Sequence, residues 1–131
     1  MDLKHIEKHW LTSSIDDFDT AKILFEKEKY VQSMFFLHLS LEKMLKALYV
    51  NKNNGEAPFG HNLVKIASLI ENLELGEYEK ILLADVTSFN ISSRYDDYKR
   101  NFFEICNADF ANGYITNTEK LILWLKSLMK Y

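Results

Sequence analysis

One stretch, Phe35-Phe36-Leu37-His38-Leu39-Ser40-Leu41-Glu42-Lys43-Met44-Leu45-Lys46-Ala47-Leu48, limits what this chain can fold into more than any other. Wound at 3.6 residues per turn it is apolar on nearly every side, and a helix of that kind belongs at the centre of a bundle. His38, Glu42 and Lys46 interrupt it, and their spacing keeps them on one slowly drifting row. Ser33, Ser40 and Ala47 form a second line, of small side chains that let another helix come close. The pattern predicts a helix from about Tyr30 to Lys52, ended by Asn53-Asn54-Gly55.

The flanking sequence is helical too. Leu3, Ile6, Trp10, Leu11, Ile15, Phe18, Ala21, Leu24 and Phe25 predict a first helix over about residues 3 to 28. Thr12-Ser13-Ser14 is weakly helical and marks a bend or a new start. A short helix follows His61, with Leu63, Ile66, Ala67 and Ile70 inward. Gly76 separates it from a further helix with Tyr78, Leu82, Val86 and Phe89 inward. Ser92 to Arg100 reads as irregular. Asn107 or Asp109 caps the last helix, with Phe110, Tyr114, Leu121, Leu125 and Leu128 on one face and Ala111, Ile115, Ile122 and Met129 beside it. The single proline and the scarce glycines cluster at apparent breaks, and no convincing alternating strand pattern occurs. The expected fold is all-α, an up-and-down bundle of four main helices plus one short helix. Helices this apolar have sides left for a second copy, so a homodimer is the expected assembly.

At 131 residues the chain is read as one domain over residues 1–131. Its net charge of −3, with only Arg94 and Arg100 as arginines, disfavours coating of duplex DNA. Cys106 is the only cysteine, which rules out an internal disulfide or a thiolate metal cluster and fits a reducing, cytoplasmic setting. No apolar signal segment opens the sequence, and no apolar run approaches the ~20 residues of a membrane span.

Three segments carry the chemistry. Glu42 and Lys46 make an ordinary helix-surface pair worth about 0.3–0.5 kcal/mol. The same row also suits a groove, where Lys46 meets a phosphate or an acidic partner and His38 exchanges a proton. His61 precedes a helix, either capping or packing there, and the free N–H groups at His61-Asn62 favour an anion. Arg94-Tyr95-Asp96-Asp97-Tyr98-Lys99-Arg100 reads either as a self-neutralised loop or as a phosphate and base contact, since arginine grips phosphate bidentately and tyrosine stacks. His38/Glu42 and His5/His9 have ligand spacing, but no second ligand pair accompanies either, so no metal site is assigned and no cofactor is implied. Cys106 sits among apolar residues and reads as buried and inert. No glycine-rich phosphate loop, nucleophile elbow or metalloprotease motif is present.

The chain resembles the HEPN domain family (higher eukaryotes and prokaryotes nucleotide-binding) along nearly its whole length. The likeness rests on Trp10 and Asp16-Asp17-Phe18-x-x-Ala21; on Tyr30, Phe36 and Leu41-Glu42-Lys43-Met44-Leu45-Lys46-Ala47-Leu48; on Pro58, His61 and Leu63; and on Ser93-Arg94-Tyr95-Asp96, where Asp96 replaces a common proline. The resemblance implies a helical bundle, commonly homodimeric, often encoded beside a small nucleotidyltransferase and sometimes paired with it as toxin and antitoxin. Catalytic members are metal-independent ribonucleases marked late in the chain by an arginine followed, after four to six residues, by a histidine. Here those positions hold Lys99, Arg100 and Asn101 after Arg94, and Ile105, Cys106 and Asn107 after Arg100; no histidine follows His61.

Three functions follow as expectations. The first is a non-catalytic module that binds a nucleotide, RNA or other phosphate-bearing ligand, or pairs with a nucleotidyltransferase. Its candidate residues are His38, Glu42, Lys46, His61, Arg94, Tyr95 and Asp96. The second is a ribonuclease with a rearranged site, in which His38 or His61 carries the proton. The third is a helical scaffold that binds protein alone.

Overall fold

The computed structural model describes residues 2–130, apart from the side chains of Asp96 and Asp97. Among the described residues six helices follow in order: α1 Leu3–Glu26, α2 Tyr30–Asn53, α3 Leu63–Ser68, α4 Glu77–Ser92, α5 Asp96–Ile105 and α6 Ala108–Ser127. No strand occurs among the described residues. The all-α bundle expected from the sequence is therefore observed, with α5 as a second short helix.

α2 is the central element and touches each of the other five helices. Met34, Leu37, Leu41, Met44, Leu45 and Leu48 are fully buried, as expected of a helix apolar on most sides. It ends at Asn54 in the left-handed conformation, with φ 53°, rather than on the adjoining glycine. α1 stops at Glu26 and runs unbroken through Thr12-Ser13-Ser14. Those residues do not interrupt the helix. Ser14 instead faces α2, where the row of small side chains permits close approach; Ser33 Oγ donates to the Ala21 carbonyl at 2.7 Å in the same seam.

Two expected core positions are outside. Ile15 and Tyr78 are exposed, at 44% and 60%. On α4 the inward residues are Leu82, Leu83, Val86 and Phe89. The segment read as irregular contains the start of α5, whose anchors are Phe102 and the adjoining Cys106, both buried. Phe102 stacks on Phe89 at 5.2 Å and meets Phe110 edge-on at 5.8 Å. Asn107, not Asp109, caps α6, accepting from the Phe110 amide at 2.9 Å. No described helix is long and apolar enough to cross a membrane.

Candidate functional site

His38, Glu42 and Lys46 share a face of α2 that points into the molecule, and all three are buried. The expectation of an ordinary surface pair therefore fails for Glu42 and Lys46. Charges so placed need partners. Lys46 Nζ donates to Glu42 Oε2 at 3.1 Å and lies 5.2 Å from the centre of the Trp10 ring on α1. The other oxygen, Oε1, accepts from His61 Nδ1 at 2.8 Å. Glu42 is thus the hub between a buried ammonium and an imidazole arriving from the loop before α3.

That loop is shaped locally. Gly60 has φ +118°, a conformation side chains disfavour. Asn62 caps α3, its side chain accepting from the Lys65 amide at 3.2 Å. His61 is consequently not the cap; its ring turns back to Glu42 while remaining 59% exposed. His38 Nε2 donates to the His61 main-chain carbonyl at 2.9 Å. It stands 3.9 Å from Glu42 Oε1, beyond hydrogen-bond range.

Burial is the main reason His38 holds its pKa below the ordinary 6.5. Electrostatic interaction with His61 and Arg94 pushes the same way, against the carbonyl bond and the Glu42 carboxylate. Of these, Arg94, just past α4, has the smallest effect. Its guanidinium donates to Asn90 Oδ1 at 3.4 Å and lies 5.7 Å from the Tyr95 ring centre. Both Arg94 and Tyr95 are exposed.

The structure thus brings His38, Glu42, Lys46 and His61 into one bonded network; Arg94 bonds Asn90 and lies against Tyr95 without a bond to that network. The Asp96 side chain lies outside the described residues. Trp10 and Thr87 contribute without having been among the candidate site residues. Trp10 stood in the periodic face of the first helix; Thr87, which accepts from the Leu63 amide at 3.1 Å, carries no signal of its own. No described cluster of three or more His, Cys, Asp or Glu is placed to hold a metal ion. A separate cavity of about 590 Å³, lined by Leu3, Lys8, Leu11, Val50, Lys52 and Lys130 among others, shares no residue with this network.

The model of the HEPN domain matches residues 7–128. No curated protein sequence matches the chain. Among solved structures, the crystal structure of TT1696 from Thermus thermophilus superposes with a TM-score of 0.79 at 18% identity, covering 92% of this chain and 96% of that one. At that identity the likeness is one of fold.

Proposed function

The chain belongs to the HEPN domain family, and from that premise we propose that it is a binding module for a phosphate-bearing ligand, a nucleotide or an RNA strand, held at the edge formed by His61 and Arg94. One observation carries this reading: an exposed imidazole is fixed on a buried carboxylate at the hub of a buried polar network. Arg94 grips the phosphate, Tyr95 offers a ring for a base, and the free edge of His61 supplies a further polar contact. Lys46 is committed to Glu42 and supports the site from within. Exposed Tyr95, Tyr98, Phe103 and Ile105 favour a protein surface next to the ligand, in a homodimer or against a nucleotidyltransferase.

The test is anisotropy of a labelled single-stranded RNA, with unlabelled nucleotide as competitor. Arg94→Ala should weaken binding at least about tenfold, some 1.4 kcal/mol. Unchanged binding by a folded Arg94→Ala would remove this assignment.

A second reading, RNA cleavage, is favoured by the His61–Glu42 pair alone. A carboxylate on Nδ1 leaves Nε2 to carry a proton, as general acid–base catalysis requires. The N–H of His38 is occupied by a carbonyl, so His61 would be the carrier. Metal-free cleavage abolished in His61→Ala would establish it, and no cleavage by the wild type would exclude it.

A further inference from the structure

We propose that His38 is a positioning residue, a buried latch that sets the loop backbone at His61 so that the His61 ring meets Glu42. His38 has no exposed surface and cannot touch a ligand itself. What it reaches is a main-chain carbonyl, 23 residues away in sequence. A carbonyl only accepts, so Nε2 carries the hydrogen. The other nitrogen, Nδ1, is buried without a hydrogen-bond partner. A polar atom left so costs stability, which makes the ring a poor choice for filling space alone. The depressed pKa agrees with a neutral ring in the Nε2–H form.

The loop's other restraints lie one and two residues on, at the Asn62 cap and at buried Leu63, and none of them holds the His61 carbonyl. His61 bonds Glu42 through its side chain, and the Leu63 amide donates to Thr87 on α4. Gly60 has φ +118° and no atom near its missing Cβ, so nothing packs on it to hold the loop there. Remove the His38 donor, and the His61 ring hangs on one side-chain bond at an exposed position. The groups whose charge faces His38 are Glu42 on the same helix, His61 from the loop and Arg94 after α4.

The inference rests on the proposed function only in naming His61 a contact residue, and its test uses no ligand. Imidazole nitrogen NMR on the wild type reads the tautomers directly. At neutral pH His38 should appear as the Nε2–H form and His61 with a hydrogen on Nδ1. His38→Leu should lose the Nδ1–H resonance of His61. His38→Gln, which keeps a donor near the Nε2 position, should restore it. A wild-type His38 in the Nδ1–H form overturns the proposal even if neither variant folds. So does a His61 Nδ1–H signal unchanged in folded His38→Leu. Failure to bind RNA would leave these results untouched and bear on the proposed function alone.

Discussion

Ser14 and Ser40 exchange hydroxyl hydrogen bonds across the α1–α2 seam, each donating to the other's main-chain carbonyl, at 2.6 and 2.8 Å. Both residues are fully buried. The pair fixes the register of the two long helices, and with it the height of Trp10 against Lys46. Ser40→Ala should cost about 1 kcal/mol, the usual net worth of such a bond. Ser40→Leu should cost about 1–3 kcal/mol, because it loses the hydroxyl bond and sets a larger side chain against the α1 backbone. Urea unfolding checks both, and a Ser40→Leu variant as stable as the wild type would contradict the close approach.

Glu42 should be the most sensitive position of the polar network. Removing it leaves the Lys46 ammonium buried and unpaired, a loss of about 3–5 kcal/mol in comparable pairs. His61→Ala deletes a half-exposed contact and should cost no more than about 1 kcal/mol. Equal destabilisation of Glu42→Ala and His61→Ala in the same titration would show that Glu42 is not the hub.

His38 predicts a pH dependence of known sign. Its folded pKa lies below 6.5, whereas the unfolded chain titrates near the ordinary value. Between the two, the unfolded state holds a proton that the folded state lacks. The contribution is therefore complete above about pH 6.5 and is lost as the pH falls through the folded value. The slope is at most about 1.4 kcal/mol per pH unit. Denaturant midpoints at neutral and mildly acidic pH should diverge more in the wild type than in His38→Leu. Parallel behaviour would mean that His38 titrates normally.

Burial pushes the Cys106 thiol up to about 12, leaving almost no thiolate near neutral pH. A thiol reagent should label the native chain at least about a hundredfold more slowly than the unfolded chain. Because Cys106 adjoins α5, rapid labelling would report that α5 opens readily.

Much of this was legible in the sequence. α2 stood out because it is apolar on most sides and interrupted by a polar row, and the small residues forecast that another helix would come close, a helix that is α1 in the structure. The meeting of His61 with Glu42 was not legible. It depends on a loop path set by the φ of Gly60, the cap at Asn62 and the Thr87 bond, all products of tertiary structure. α5 was hidden for another reason. It buries Phe102 as its anchor, while Tyr98, Lys99 and Arg100 face outward, so its apolar rhythm is too thin to register. Ile15 and Tyr78 kept helical spacing but fall at the margins of their stripes, where periodicity does not decide burial.

The most direct test of the account is an NMR titration of the isotope-labelled chain with a ribonucleotide, read residue by residue. Saturable shifts are expected, centred on His61, Arg94 and Tyr95 and absent from Arg94→Ala. Shifts confined to the Leu3–Leu11 and Val50–Lys52 cavity, or no shifts at all, would contradict it.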